Sequence, residues 1–365
     1  MSSNHANASG ATGSAKPVIL HLGDPIKYNT DIYQQFSSNF TIIRPSLEER
    51  QRNAFLQNLR EGKWGEFVGV FRPWWATGGE IGRIDKKLVS LLPKSLKVWA
   101  SAGAGYDWAD VDVLAEHGIL YCNGALASSE AVADMAIYHI ISVFRNMQWS
   151  NMAGRANDPD AWTDAHINGQ FTAHNPQGHV LGIVGLGNIG YRIAVKAFKG
   201  FDMRVTYYDP VPKSAEQEAA INATRCASMK ELLSGADCVV LAAPGGSGKL
   251  MTRERIAQMK KGSRLVNIAR GGLVDEEAVV EALESGQLSA VGLDVFENEP
   301  RPHPRLSGFR NATLTCHTAG GALETAMGFE GLSMKNVLAV LTGQPPLTPV
   351  NQHLMKGARQ GGPKL

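Results

Sequence analysis

Three polar residues in the second half of the chain have types that suit acid–base chemistry on an anionic substrate. Arg270 follows the apolar run LVNIA, Glu299 lies in GLDVFENEP, and His317 follows ATLTC. Arginine presents a planar, charged fork to a carboxylate or a polarised carbonyl. Histidine titrates near neutral pH and can give or take a proton, and a neighbouring carboxylate would orient its ring.

Each of these residues also has a structural alternative when it is considered alone. A strand-end arginine often forms a surface ion pair, a glutamate before proline often lies in a plain loop, and a single histidine often has a structural role. The interpretation as a site depends on their joint occurrence after predicted strands, because ligands of open parallel sheets bind beyond the carboxyl ends of the strands.

A glycine fingerprint precedes these three residues. Residues 180–190, VLGIVGLGNIG, form an apolar run that leads into three glycines, and they predict a buried strand that turns tightly into a helix. Glycine tolerates positive φ at the turn and lets a pyrophosphate approach bare backbone, while the helix N-terminus offers unpaired N–H groups to the phosphates. The stretch therefore predicts a dinucleotide site. The predicted contacts are Gly185, Gly187, Asn188, Ile189 and Gly190.

An acidic residue follows at the distance that a dinucleotide site requires. A helical run and the strand-like residues 204–208 lead to Asp209, which lies 19 residues beyond Gly190. Its carboxylate can accept hydrogen bonds from the adenosine ribose and repels a 2′-phosphate. We therefore expect NAD rather than NADP, although Lys213 could reduce the preference. The structural alternative is an ordinary turn followed by a strand-end aspartate.

Length and charge limit the classes of partner. The chain has 365 residues, which suits two domains, and its net charge of +2 comes from 36 basic and 34 acidic residues without a sustained basic run. Nothing in this balance indicates a nucleic-acid partner or a membrane surface. No stretch approaches the roughly 20 apolar residues that span a bilayer. A small-molecule substrate is the expected partner.

Cysteine and histidine spacings indicate neither disulfides nor a metal site. The four cysteines show no CxxC spacing, and three histidines between residues 166 and 179 fit no compact ligand motif, so no metal is predicted. Residues 1–16 lack the apolar core of a signal peptide and predict a disordered tail. The C-terminal Pro-Lys-Leu is only loosely similar to a peroxisomal address, and we expect a plain tail and a cytosolic protein.

Strand and helix signals alternate along the chain and predict an α/β protein with two Rossmann-like or flavodoxin-like domains. Strands are expected over 18–22, 66–71, 96–101 and 118–122, with a helix over 81–92. Six further strands between residues 180 and 316 alternate with helices and predict a doubly wound parallel sheet. The expected division is a tail over 1–16, a substrate (catalytic) domain over 17–123, a dinucleotide-binding domain over 124–318, a helical return to the first domain over 319–350, and a C-terminal tail over 351–365.

The ordered motifs GLGNIG, NIARGGLVD, GLDVFENEP and TCHTAGG resemble the D-isomer-specific 2-hydroxyacid dehydrogenase family over roughly residues 95–345. The resemblance implies that Arg270, Glu299 and His317 are the catalytic residues. It also implies that Asp294 contacts the nicotinamide carboxamide and that the backbone of the GAGYD turn holds the substrate carboxylate. The implied cofactor contacts after strands are Pro244, Ala269 and Asp294, and the implied substrate contacts are Ala104, Gly105 and Arg270.

Two positions depart from the pattern of the family. Cys316 stands where a proline usually precedes the histidine, and the loop APGGSGKLM, residues 243–251, is shorter and richer in glycine than usual. The second departure affects the surroundings expected for the nicotinamide ribose.

The resemblance implies reversible reduction of a 2-oxo acid to a D-2-hydroxy acid with NAD. The stretches SLKVWASAGAGYDW, AHNPQGHVLGIVGLG and VTYYDP are similar to fungal D-mandelate dehydrogenases, which implies a bulky or aromatic substrate. One alternative is a glyoxylate or hydroxypyruvate reductase, which uses the same residues on smaller substrates. Another, from a different class, is an NAD(H)-sensing protein similar to transcriptional corepressors, since the fold of the family also occurs there.

Large aromatic residues outside the motifs suggest further contacts. Residues 146–178 have little apolar periodicity yet carry Trp162 and other large apolar groups, which need a surface to cover. Because related enzymes form their dimer contact here, we expect a homodimer in which Trp162 lines the substrate site of the partner. The alternative is that Trp162 packs inside its own subunit. Trp74 and Trp75 could wall a bulky substrate pocket or fill a domain core.

Overall fold

The structure is a computed structural model that describes residues 15–355. The predicted tail over 1–16 lies outside the described residues except for its last two positions, and so does the Pro-Lys-Leu end. The described chain divides into two compact units. The first comprises residues 15–102, 108–124 and 329–355, and the second comprises residues 103–107 and 125–328.

The first unit contains five parallel strands in the order β2-β1-β3-β4-β5, which is the flavodoxin-like order. The strands are β1 Val18–His21, β2 Thr41–Ile43, β3 Phe67–Arg72, β4 Val98–Ser101 and β5 Leu120–Cys122. The helices are α1 Thr30–Asn39, α2 Leu47–Arg50, α3 Arg52–Arg60, α4 Lys86–Val89 and α5 Val111–Glu116.

One helix of this unit is much shorter than the sequence predicts. The expected helix over 81–92 is reduced to α4, because Gly82 takes a φ of +70° and Asp85 caps the helix by accepting the N–H of Leu88 at 2.9 Å. Helical residues cannot precede a cap of this kind. Helices α1 and α3 were not predicted from the sequence.

The second unit contains seven parallel strands in the order β12-β11-β10-β9-β6-β7-β8. They are β6 Val180–Val184, β7 Arg204–Tyr208, β8 Ala223–Arg225, β9 Cys238–Leu241, β10 Ser263–Asn267, β11 Leu288–Leu293 and β12 Ala312–Leu314. From β6 the strands follow in chain order to one side as β7 and β8, and to the other side as β9, β10, β11 and β12. This arrangement confirms the predicted doubly wound parallel sheet. The seventh strand, β8, was missed because this short edge strand is largely exposed and has no apolar run.

Helices cover both faces of this sheet. They are α6 Ala125–Arg145, α9 Asn188–Phe201, α10 Ala215–Ala220, α11 Met229–Gly235, α12 Arg253–Ala257 and α13 Glu276–Glu284. Along β9, Val239 and Leu241 belong to one buried cluster, whereas Cys238 and Val240 belong to another. Since successive side chains of a strand point to opposite faces, the sheet is buried on both sides.

Residues 146–178, in which the sequence shows little apolar periodicity, contain a pair of helices. The helices are α7 Met147–Ala156 and α8 Pro159–Asn168, and they contact each other. Asp158 caps α8 by accepting the N–H of Asp160 at 3.0 Å, with proline at the first helical position. None of the residues of α8 is buried. Its apolar residues therefore lack the periodicity that core packing imposes. We call α7 and α8 the helical arm.

The last helix is α14 Leu323–Leu341, and Phe329 is the first residue of the chain's return to the first unit. The fold continues beyond residue 350, where the C-terminal tail was expected to begin. Asn351 is fully buried, and its side chain accepts the N–H of Tyr121 at 2.8 Å. Helices long and apolar enough to cross a membrane do not occur between residues 15 and 355.

Candidate active site

The glycine fingerprint lies at the point where the strand order of the second sheet reverses. Gly185 has a φ of +91°, and a Cβ there would lie 2.9 Å from the backbone of Ala242 and Ala243, which follow β9. A Cβ on Gly190 would lie 2.1 Å from the carbonyl oxygen of Gly185. Both positions therefore require glycine. Gly187, by contrast, has open space in front of it.

The first turn of α9 offers free N–H groups to a phosphate. Gly187 is its N-cap and supplies no side-chain hydrogen bond, and Asn188 is exposed. Ile189 is half-buried and Gly190 is buried. A cavity of about 330 Å³ opens beside this turn and is lined in part by Leu186, Lys213 and Arg192. Bare glycine, helix N–H groups and the ammonium group of Lys213 fit the pyrophosphate of a dinucleotide, whereas Arg192 is already paired with Glu130 at 2.7 Å.

Asp209 is fixed beside the fingerprint. Its two carboxylate oxygens accept the N–H of Leu186 at 2.8 Å and that of Val211 at 2.9 Å. The structure also shows a basic neighbour that the sequence analysis did not consider, because it lies 16 residues away on β8. The guanidinium of Arg225 donates to the carbonyl oxygen of Asp209 at 3.0 Å.

Arg270 contacts the GAGYD turn directly. Its Nε donates to the carboxylate of Asp107 at 2.7 Å, and its Nη1 donates to the carbonyl oxygen of Ala269 at 2.7 Å. The terminal Nη2 lies against Gly105, since a Cβ on that residue would fall 1.3 Å from it. The structure thus brings together Arg270 and the turn that contains Ala104 and Gly105, and it adds Asp107, to which the sequence analysis assigned no role.

Glu299 and His317 form a hydrogen-bonded pair. Nδ1 of His317 lies 2.8 Å from Oε2 of Glu299, and the other carboxylate oxygen accepts the N–H of Phe296 at 3.1 Å. Because a carboxylate only accepts hydrogen bonds, Nδ1 carries the hydrogen. Nε2 has no hydrogen-bond partner among residues 15–355 and is available to a ligand.

Asp294 fixes the loop that carries His317. The fully buried carboxylate accepts the N–H groups of Thr318 and Ala319 at 2.9 Å and the hydroxyl of Thr315 at 2.6 Å. Its carbonyl oxygen accepts the N–H of His317 at 2.7 Å, which supports the positive φ of 53° at that residue. The carboxylate is committed to this loop, and a contact with the nicotinamide carboxamide stays a prediction.

His139 extends this network into α6. It is fully buried, and Nε2 lies 3.0 Å from the hydroxyl oxygen of Thr315. Burial lowers the pKa of His139 to about 4, so the ring is neutral at physiological pH. Since the hydroxyl donates to Asp294, Nε2 of His139 must carry the hydrogen. No motif marked this residue in the sequence.

Glu276 supports the loop that carries Glu299. This buried carboxylate accepts the N–H of Glu297 at 2.6 Å and that of His303 at 2.9 Å. The two amides flank Glu299 on either side. No motif marks Glu276 in the sequence, and its role follows from its burial, because buried acidic residues need partners of this kind.

The predicted residues Pro244 and Ala269 follow β9 and β10. Pro244 is exposed, and Ala269 is buried with its N–H donated to the side chain of Asn267 at 3.1 Å. In the sheet, β9 lies between β10 and the fingerprint strand β6. The carboxyl ends of β6, β9, β10, β11 and β12 therefore carry the predicted cofactor and catalytic residues along one edge.

The tryptophans differ in their surroundings. Trp162 is 55% exposed and stacks on His166 with ring centroids 4.8 Å apart, and no described contact joins it to the catalytic residues. Trp75 is 56% exposed, so it does not fill a domain core, whereas Trp74 is half-buried. Within residues 15–355, no group of three or more His, Cys, Asp or Glu side chains could hold a metal ion.

Comparison with known proteins identifies relatives over most of the chain. Residues 137–319 match the family described as D-isomer specific 2-hydroxyacid dehydrogenase, NAD binding domain. A crystal structure of holo D-mandelate dehydrogenase from Rhodotorula graminis is 41% identical with a TM-score of 0.88, covering 92% of this chain and 98% of that chain. Glyoxylate reductase of Pyrococcus horikoshii is 35% identical over 76% of this chain and 83% of that protein. The 4-methyl-2-oxopentanoate reductase A of Aspergillus oryzae is 33% identical over 88% of this chain and 94% of that protein.

Proposed function

Because the chain belongs to the D-isomer-specific 2-hydroxyacid dehydrogenase family, we propose that it reduces a bulky or aromatic 2-oxo acid reversibly to the D-2-hydroxy acid with NAD. The observation that carries the proposal is the pairing of His317 with Glu299 at 2.8 Å, at the sheet edge where Arg270 lies against the GAGYD turn. Together these groups provide an anion-binding fork and a proton donor.

The proposed roles follow from the atoms that each side chain leaves available. Arg270 and the backbone amides of Ala104 and Gly105 bind the substrate carboxylate, and Arg270 also polarises the carbonyl oxygen. His317 donates its Nε2 proton to that oxygen, while Glu299 holds Nδ1 and stabilises the imidazolium. The nicotinamide, when bound, supplies the hydride that reduces the carbonyl carbon.

The preference for NAD is supported by the electrostatics at the end of β7. The carboxylate of Asp209 is held by two backbone N–H groups, so its negative charge is fixed beside the fingerprint. A 2′-phosphate near this position would be repelled. Arg225 acts in the opposite direction, and the preference therefore has a measurable size rather than being absolute.

A bulky or aromatic substrate is supported by the similarity to D-mandelate dehydrogenase, which is 41% identical over 92% of this chain. The alternative, a glyoxylate or hydroxypyruvate reductase, is favoured by the glyoxylate reductase at 35% identity. Purified protein would be mixed with NADH or NADPH and a panel from glyoxylate to benzoylformate, and loss of the reduced cofactor followed by absorbance. We expect kcat/KM for benzoylformate to exceed that for glyoxylate at least about tenfold, as side-chain contacts in apolar pockets allow. A reversed ratio would favour the alternative, and no turnover of any 2-oxo acid would contradict the proposal.

We also propose a homodimer formed through the helical arm. The arm and the 3-10 turn that follows it expose several large apolar side chains, among them Phe171 at 75%, Trp162 at 55% and Ile167 at 48%. Large apolar side chains that are exposed in one short segment of the chain are typical of a contact surface. A second copy of the chain covers them, and the predicted role of Trp162 at the partner's substrate site belongs to this proposal.

A cytosolic location is proposed from the state of the cysteines. All four cysteines are free thiols, with Cys122, Cys226 and Cys238 buried and Cys316 exposed. An exposed thiol beside His317 suits a reducing compartment. Fractionation of the source cells, with activity assayed in each fraction, would test the location.

A further inference from the structure

The guanidinium of Arg270 is held on more than one side before any substrate is considered. Nε donates a hydrogen bond to the carboxylate of Asp107 at 2.7 Å, and Nη1 donates one to the carbonyl oxygen of Ala269 at 2.7 Å. Nη2 lies over Gly105, where no Cβ would fit. Two acceptors thus fix the plane of the guanidinium, and the remaining Nη2 is directed to the turn on which a carboxylate is proposed to bind.

The glycine-rich loop after β9 leaves room for this arrangement. A Cβ on Gly245 would lie 2.4 Å from Oδ1 of Asp107 and 3.0 Å from Cγ of Arg270. A Cβ on the next residue, Gly246, would meet nothing within 4 Å. Neither glycine has a positive φ. A side chain at 245 would therefore displace the carboxylate of Asp107 from Arg270, which gives a reason for glycine in a loop that departs from the pattern of the family.

Stability does not account for this ion pair. The side chains of Arg270 and Asp107 are 34% and 47% exposed, and exposed ion pairs contribute little to the free energy of unfolding. A long arginine side chain that must bind a planar carboxylate, however, loses affinity when it samples other rotamers. Fixing its orientation in advance therefore has a functional benefit.

We infer that Asp107 is a positioning residue, which orients Arg270 for the carboxylate of the 2-oxo acid, and that Gly245 provides the space for it. The inference rests on the proposed function, since it requires Arg270 to bind the substrate. Asp107 itself touches neither the carbonyl carbon nor its oxygen in this account. Its effect passes through the guanidinium.

Two pairs of variants test the inference. Asp107→Ala removes the acceptor, and we expect KM for the 2-oxo acid to rise at least about tenfold while kcat changes less, because a binding orientation is lost. Asp107→Asn retains an oxygen acceptor and should return KM to within about threefold of the wild type. Gly245→Ala should resemble Asp107→Ala, because the new Cβ displaces the carboxylate, whereas Gly246→Ala should resemble the wild type.

A double variant separates positioning from a purely structural effect. If Asp107 acts through Arg270, then Asp107→Ala should cause no further loss of kcat/KM in an Arg270→Ala background, measured as product over long incubations. An equal loss in both backgrounds, an unchanged KM in Asp107→Ala, or equal KM values in Gly245→Ala and Gly246→Ala would each overturn the inference. Full activity of Arg270→Ala would instead contradict the proposed function. Melting temperatures of all variants identify any that fail to fold.

Discussion

The imidazole of His317 is held by Glu299, an acid that precedes it by 18 residues, with Nδ1 2.8 Å from Oε2. The second carboxylate oxygen of Glu299 accepts the N–H of Phe296 in its own loop, and the N–H of His317 donates to the carbonyl oxygen of Asp294. Hydrogen bonds to the protein backbone thus fix the positions of both Glu299 and His317. The free face of the ring is Nε2, and this geometry leads to the first two predictions.

Substitution of the proton donor or the anion-binding residue should nearly abolish turnover. We expect His317→Ala and Arg270→Ala each to lower kcat/KM at least about 100-fold, as loss of an acid–base or electrostatic group does. His303 provides a matched control, since Nε2 of that ring lies 3.0 Å from Glu277 at the surface. His303→Gln should keep kcat/KM within about twofold. Near-normal turnover in the His317 or Arg270 variant would refute the mechanism.

Removing the acceptor of Glu299 should impair turnover through the position of His317. The carboxylate of Glu299 lies 2.8 Å from Nδ1 of His317 and so fixes the orientation of the ring. We expect Glu299→Ala to lower kcat/KM at least about tenfold, because the ring can then take other orientations. Glu277→Ala, which removes the carboxylate beside His303, should leave kcat/KM within about twofold. Normal turnover in Glu299→Ala would show that this pair does not orient the proton donor.

Cofactor preference should depend on Asp209. We expect the wild type to use NADH at least about tenfold better than NADPH in kcat/KM, and Asp209→Asn to reduce that ratio. Arg225, on β8, donates to the carbonyl oxygen of Asp209, so Arg225→Ala added to Asp209→Asn should remove the gain in NADPH use. Asp202→Asn, at the other end of α9, is the control and should leave the ratio unchanged. Equal use of both cofactors by the wild type would contradict the assignment.

The helical arm should control assembly. Sedimentation at micromolar concentration should give a dimer, and Phe171→Asp should weaken it because the charge would enter an apolar contact. Leu47→Asp, which changes a side chain that is 51% exposed in the first unit, should leave the dimer intact. Trp162→Ala should raise KM for benzoylformate more than for glyoxylate, since only the larger substrate loses apolar contact. A fully active monomer would exclude both the dimer and the shared pocket, and equal effects on both substrates would indicate that Trp162 packs in its own subunit.

Two buried histidines should make the fold sensitive to acid. Burial lowers the pKa of His21 to about 3 and that of His139 to about 4, from 6.5. The unfolded chain therefore binds these protons at a higher pH than the folded chain does. The free energy of unfolding should fall as pH decreases from about 6.5 to between 4 and 3.

Denaturant titrations across this pH range would measure the slope. His139→Gln should flatten it, because the variant has no ring to protonate, although it will be less stable at neutral pH. His117→Gln, at an exposed position, should keep the slope of the wild type. A slope that is the same in His139→Gln and in the wild type would show that the buried ring does not contribute.

The parallel architecture and the positions of the predicted site residues along the chain follow from the sequence without coordinates. Strands buried on both faces are continuous apolar runs, and a glycine that must take positive φ or admit another backbone is visible in any sequence. For this reason VLGIVGLGNIG and the residues after β10 and β12 could be identified without coordinates. Segments whose apolar residues are exposed, such as α8, and the short edge strand β8 carry no such signal.

Which side chains meet depends on the three-dimensional fold. Asp107 reaches Arg270 across 163 positions of sequence, and His139 reaches Thr315 across 176. Neither pair has a characteristic spacing, because the contact depends on the order in which strands lie side by side in the sheet. The need for open space beside Gly245 likewise depends on residues that are distant in the sequence. In the sequence Gly245 and Gly246 are indistinguishable, and they differ only because the carboxylate of Asp107 occupies the space beside one of them.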